Sequence, residues 1–258
     1  MTAAFAYVNL ADAATISGSS SAALAPYANL QNKHIKRRWV GTLGVTEYLT
    51  IDLGASIAWD TLALVGTNLG TTATTQVRAS NSDATGVTGE IYNSGSVSGR
   101  IDGNYGALII LRPTTAAARY VRIDLSQSGT TIKAGRLFIG LRSSLAVNFS
   151  VGWSREWIDP TRKVVGVSGQ SFEDILATYR IVSITFDAIS EAERNGLIES
   201  IDRDLGAHGD FLFIEDTASA NLGRDSIWGY RDSDSPVTEP FISTNRVFAK
   251  SISIRERK

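Results

Sequence analysis

Apolar residues in the first 145 positions recur at every second residue in short segments, and this period-two pattern restricts that half of the chain to strands. The segments are 48–53, 61–65, 75–79, 107–111, 120–125 and 136–141, separated by stretches rich in Gly, Ser, Asn and Thr. Successive strand side chains point to opposite faces, so Leu49, Ile51 and Leu53 share one face while Tyr48, Thr50 and Asp52 share the other. The first set must be buried. Gly54 turns the backbone at little steric cost and reads as a strand exit. The tracts 66–75 and 81–104 read as loops or hairpin tips, since their Gly and Ser content offers little to bury. No amphipathic helical pattern interrupts this half, so an antiparallel sandwich is expected.

The pattern changes at about Ala146. Strands are expected at 146–157, 163–167 and 179–188, and then "SEAERNGLIESIDRDLGAHG" breaks the alternation. Ser190 followed three residues later by Glu193 has the form of a capping box, Leu197, Ile198, Ile201 and Leu205 recur at helical spacing, and Gly206 offers a stop. One helix over about 190–205 follows. Strands resume at 210–215, 226–230, 237–242 and 246–254. The chain therefore divides into residues 1–145 and 146–258, both mainly β, the second with a single helix.

Composition excludes several chemistries. The 258 residues contain no cysteine, so there is neither a disulfide framework nor a thiolate metal site nor a cysteine nucleophile. Nowhere do eighteen apolar residues run together, and the N-terminus lacks a basic segment followed by an apolar core, which predicts no membrane span and no signal peptide. The net charge of −1 hides an asymmetry: residues 1–145 carry 12 Lys/Arg and 8 Asp/Glu, and residues 146–258 carry 13 and 18. The halves are thus about +4 and −5 by difference, which suits head-to-tail packing of subunits but gives no nucleic-acid footprint.

The segments "EYLTIDLG", "DTLALVG", "QVRASNS", "ARYVRIDL" and "GRLFIG" occur in the order found in discoidin-like, galactose-binding-like jelly rolls, the coagulation factor 5/8 type C family, which residues 5–145 resemble. That resemblance implies an N-terminal jelly-roll β-sandwich, places Trp39 before the "DLG" strand and makes "RYVRI" a late core strand. The family's Asp-Gly dipeptide before the Trp is missing from "LQNKHIKRRW", so a family-type calcium is not expected. Strands, one helix and a long final strand in the second half resemble the core domain of long-tailed bacteriophage tail proteins, a β-sandwich or barrel whose rings stack around a lumen. "FLFIEDT", "SIWGYRDSDSPVTEPFIS" and "VFAKSISIRER" look like the end of a tail-tip or baseplate component.

His34 and His208 lack a nucleophile elbow or a partner motif, and "GVSGQS" has the wrong spacing, so no catalytic residue is expected. Asp202 beside Asp204 reads as a solvated helix face, not half of a glycosidase pair. Asp232 and Asp234 lie in an oxygen-rich turn that lacks the EF-hand Gly and Glu, so no metal is assigned. Trp153 and Trp157 share one strand face and read as core or subunit contact. The sharpest feature is the basic cluster Lys33, His34, Lys36, Arg37 and Arg38. Three readings compete for it: glycan contacts, docking of an acidic neighbouring subunit, or a solvated turn. The resemblance puts Trp39 in the core, which weighs against an aromatic sugar platform there.

The expectation is thus a non-enzymatic structural component of a phage or phage-like tail tip or baseplate, made in the host cytoplasm and resident in the virion tail. It would need no cofactor and assemble as a homo-oligomeric ring with other tail proteins, its jelly roll serving as decoration or receptor-facing module. The alternative is a carbohydrate-binding protein that recognises a bacterial surface glycan through several copies.

Overall fold

The computed structural model describes residues 2–99, 105–206, 208–240 and 246–258 and is mainly β, with antiparallel pairing throughout. The first ten strands are β1 (Ala4–Ala6), β2 (Thr15–Gly18), β3 (Trp39–Val40), β4 (Thr46–Val65), β5 (Thr74–Ser80), β6 (Tyr92–Asn93), β7 (Val97–Ser98), β8 (Ala107–Ser126), β9 (Lys133–Ala134) and β10 (Arg136–Gly140). They are followed by β11 (Ser154–Ile158), β12 (Arg162–Val165), β13 (Ser171–Asp174), β14 (Tyr179–Ser190), β15 (Phe211–Ile214), β16 (Ser226–Asp234) and β17 (Val247–Glu256). Contacts divide the chain into two units, residues 1–144 with 211–226 and residues 145–210 with 227–258. The sequence alone suggests one boundary near 145; the contacts also assign 211–226 to the first unit, where β15 pairs with β1.

In the first unit the main sheet runs β10-β4-β8-β5-β6, with β2 added beside β4 and β7 beside β5. Its spine is the pair β4 and β8, each 20 residues long. Here the expected turn at Gly54 is corrected. Gly54 has φ of 80° and its N–H donates to Asp52 Oδ1 at 2.8 Å, so the turn chemistry is present. It makes a bulge, because pairing with β8 resumes at Ile57 opposite Ala118 and the strand continues. A second register shift falls between Trp59 and Thr61. The buried Arg112 guanidinium fills that bend, donating to the carbonyls of Trp59 and Ala116 at 2.9 and 3.0 Å and stacking 4.3 Å from the Trp59 ring and 5.0 Å from Tyr92. Carbonyls released from the ladder by the irregularity thereby regain donors.

The inward stripe predicted for 48–53 is present: Leu49 and Ile51 are fully buried, and Leu53 packs against the same core from its edge. Trp39, Trp59, Val121 and Ile123 belong to that cluster. Each large apolar side chain so buried contributes about 1.5–3 kcal/mol. The polar tract after β5 is ordered by carboxylates where apolar packing is scarce. Glu90 accepts hydrogen bonds from Ser80 Oγ, the N–H groups of Asn81 and Ser82, and Thr88 Oγ1. Residues 100–104 of the expected loop lie outside the described residues.

In the second unit the sheet runs β16-β17-β14-β11, and β12 pairs with β13 as a separate hairpin. The strand expected from 146 begins only at Ser154. The helix starts at Glu191 under a complete capping box, the Ser190 side chain accepting from Glu193 N and the Glu193 carboxylate accepting from Ser190 N. It is α-helical at Glu191–Glu193 and Glu199–Leu205, with a π turn at Arg194–Ile198 between them. Ile198, Ile201 and Leu205 are buried, and Gly206 ends the helix with φ of 55°. The strand expected at 237–242 is reduced to one bridge between Thr238 and Ala249, and 241–242 lie outside the described residues.

Candidate functional site

The basic cluster occupies the turn between the 3-10 helix Tyr27–Gln31 and β3. Two apolar residues fix it. Ile35 is buried, and Gly66 and Gly135 leave room for it: a Cβ on Gly135 would lie 2.2 Å from the Ile35 carbonyl oxygen. Trp39 is buried, stacks on Tyr27 at 6.1 Å and donates its indole N–H to the Ser20 carbonyl at 3.0 Å. Trp39 is therefore core. Around the first of these anchors the chain makes a tight turn, with Asn32 Oδ1 accepting from His34 N and the His34 carbonyl accepting from Arg37 N. Lys33, His34, Lys36, Arg37 and Arg38 are left on the exterior.

The structure adds partners that the cluster alone does not suggest. Pairing of β3 with β9 brings Lys133 beside Val40, and Asn29 Nδ2 donates to the Arg38 carbonyl at 2.9 Å. Together with Leu24, which is 98% exposed, they line an open depression of about 510 Å³ that also takes in Lys36, Arg37 and Arg38. Lys33 and His34 sit on the same turn but do not line it. Lys36, Arg37, Arg38 and Lys133 form no ion pair with an acid among the described residues. The nearby Glu47 is fully buried and engaged by Ser19 Oγ, Ser20 Oγ and Leu43 N. The Tyr27 phenol is held above its ordinary value, first by burial and then by the charge of Glu47. The side chains that line the depression have the chemistry that suits anions. Guanidinium groups offer paired N–H donors to a carboxylate or sulfate, and the lysines add unpaired positive charge.

Other sequence candidates are placed elsewhere. His208 is exposed beyond the helix and His34 is exposed on the basic turn. The reading of Asp202 as a solvated face is corrected: it accepts from Lys250 Nζ at 2.7 Å and pairs with Arg231, both of which are buried. Asp234 lies in β16, not in a turn, and faces the same two cations at 2.6 and 3.2 Å. Both contacts fall on its Oδ2. Trp153 is half-buried, edge-on to Phe149 at 5.9 Å, and Trp157 is 49% exposed, so neither is sealed in the core. Among the described residues no three His, Asp or Glu side chains gather as metal ligands.

Sequence reasoning missed Lys133, Asn29 and Leu24. Nothing beside Lys133 in the chain marks it, since only β3–β9 pairing brings it to the turn. Comparison of the sequence with protein families and with curated proteins finds no match. Among solved structures, the lectin domain of lectinolysin complexed with Lewis B antigen aligns at 15% identity and a TM-score of 0.41, covering 51% of this chain and 95% of that one. The family 32 carbohydrate-binding module from C. perfringens NanJ in complex with galactose aligns at 13% identity and 0.42, covering 54% and 99%. A chitosan-binding module from the Paenibacillus sp. IK-5 chitosanase/glucanase gives 19% and 0.40, covering 52% and 98%. Likenesses at these scores transfer neither ligand nor site residues.

Proposed function

We propose that the first unit is a discoidin-like, galactose-binding-like module that binds an acidic glycan in the depression formed by Lys36, Arg37, Arg38 and Lys133. The observation that supports this reading is the gathering of four cations without acidic partners among the described residues around one concave surface, three on a turn whose buried anchors, Ile35 and Trp39, keep it in shape and the fourth, Lys133, on β9. An aromatic platform is not part of it, because Trp39 faces inward. Recognition rests on charge-assisted hydrogen bonds to carboxylate or sulfate groups of a sugar, each worth about 1.5–3 kcal/mol. On this reading the protein is a binding module and not an enzyme. The test is titration of the full chain with an oligogalacturonate and with a neutral galacto-oligosaccharide. Binding of the acidic sugar alone, weakened at least about tenfold in Arg37→Ala/Arg38→Ala, is expected; equal binding of both sugars, or of neither, refutes the reading.

A second reading, a structural component of a phage or phage-like tail tip or baseplate whose copies assemble into a ring, is favoured by a different observation. The β12–β13 hairpin of the second unit exposes Val164, Val165 and Phe172, followed closely by Ile175 and Leu176. Such a run of large apolar residues in water is characteristic of an assembly surface. On this reading the protein resides in the virion tail beside other tail proteins, and the first unit faces outward as decoration or receptor-facing module. Its test is the mass of the purified chain and its position in an assembled particle.

A further inference from the structure

The hairpin β12–β13 stands apart from the sheets described above. Its eight strand residues are all exposed, and each strand hydrogen-bonds only to the other among the described residues. Val167 at its tip is 111% exposed and Phe172 is 58% exposed. A two-stranded hairpin with wet faces is marginal in water, and its two outer edges present unpaired N–H and C=O groups. Both conditions call for a partner that adds a strand and covers apolar surface.

The order of charges identifies that partner. One strand carries Arg162 and Lys163 and the other carries Glu173 and Asp174, in the register Arg162↔Asp174, Lys163↔Glu173, Val164↔Phe172. Within the chain this register already yields the Lys163–Glu173 pair at 3.1 Å. The free edge of β12 is therefore cationic and the free edge of β13 anionic. Laying β13 of one copy antiparallel along β12 of the next repeats the intrachain register across the new edge, matching each charge with its opposite and Val164 with Phe172. Two-fold antiparallel pairing of β12 with itself would set Arg162 and Lys163 opposite Val165 and Val164, and β13 with itself would set Glu173 and Asp174 opposite Phe172 and Ser171, so neither matches a charge with its opposite.

We infer that the hairpin is a head-to-tail docking element that pairs, edge to edge, with the same hairpin of a second copy of this chain. The contact uses different edges on the two copies, so it propagates until a ring closes or a filament forms. The inference rests on the assembly reading and specifies its surface and register.

The test mixes two full-length chains. In the swapped chain, Arg162→Asp, Lys163→Glu, Glu173→Lys and Asp174→Arg exchange the charges of the two strands, so complementarity is kept within a chain and between swapped copies but lost against the original. Light scattering should show that each chain self-associates, and fluorescence transfer between labelled chains should show co-assembly reduced at least about tenfold relative to either chain alone. A second variant, Phe172→Asp, should weaken self-association to a similar degree while the circular dichroism of the body is unchanged. If the original chain associates but mixes freely with the swapped one, or if Phe172→Asp associates as the original does, the hairpin assignment fails while the assembly reading stands. If the original chain remains a single copy at every concentration, both fail.

Discussion

Glu47 holds together the two short segments that flank the basic turn. Its carboxylate accepts from Ser20 Oγ at 2.7 Å and from Leu43 N at 2.8 Å, and Ser20 Oγ in turn accepts from Thr42 N. Gly41 is required beside it, since a Cβ there would lie 2.4 Å from Glu47 Oε1. Glu47→Ala removes the buried carboxylate on which these part-buried donors converge and should lower the unfolding free energy by about 1.5–3 kcal/mol in urea titration. The loop after β5 gives a pH prediction. Asp83 is held at about 2, first by the Thr85 hydroxyl and then by the N–H groups of Thr88 and Thr85. Glu90 is held well below the usual carboxylate range, chiefly by Ser80 Oγ and then by Ser82 N and Thr88 Oγ1. A carboxylate with a depressed folded pKa stabilises the fold above its unfolded value and loses that contribution as pH falls through the folded value. The protection of amides over 80–90, measured as the exchange rate relative to the intrinsic rate at each pH, should therefore be constant at neutral pH and fall between about pH 4 and 2, and a fall starting near pH 6 would contradict the bonding described. At this scale the sequence shows types and not partners: four clustered cations and a histidine can be seen in "NKHIKRRW", but the Ser19, Ser20 and Glu47 arrangement joins positions that nothing in the string connects.

Among the elements, the helix was the most legible because its signals are local. Ser190, Glu193, the apolar spacing and Gly206 fix its ends within the chain segment itself, whereas the π turn at Arg194–Ile198 leaves no such mark. Strand continuity was less legible. Gly54 after an Asp carries turn chemistry in either context, and whether the chain reverses or bulges depends on β8, whose residues 116–126 hold the partner register on both sides. The role of Asp202 likewise depends on tertiary structure: a helix face with Glu199 and Arg203 looks solvated until β16 and β17 bring Arg231 and Lys250 to it. Removing Asp202 takes away one of the two acids that face these buried cations, leaving Asp234 and, for Arg231, the Gly206 carbonyl. Asp202→Ala should cost about 2–3 kcal/mol and Ser190→Ala about 1 kcal/mol, read as separate shifts of the second unit's thermal transition. If Asp202→Ala is as mild as an exposed Arg203→Ala, the network does not fasten the helix.

For the whole molecule, the charge asymmetry between the two halves of the chain has a structural counterpart. The excess of Lys and Arg in the first half includes the four cations that line the depression, while acids of the second half are spent on Arg231, Lys250, Arg246 and Arg257 within their own unit. Among the described surfaces open to outside partners are a positive concavity in one unit and an apolar, charge-ordered hairpin in the other. These surfaces multiply each other if both proposals hold, because copies joined through the hairpin present several depressions to one polymer. Binding of a short oligogalacturonate in solution should then be the same for the original chain and for Phe172→Asp, since that residue is remote in function from the cations. On a dense polygalacturonate surface the original chain should dissociate about a hundredfold more slowly, the gain expected when a second site engages at high local concentration. Raising the salt from about 0.05 to 0.5 M shortens the screening length and should erode both affinities, but only the surface value should depend on the hairpin. Equal retention of the two chains on the surface would mean that each copy binds alone, and the depression would then act as a monovalent receptor whatever the hairpin does.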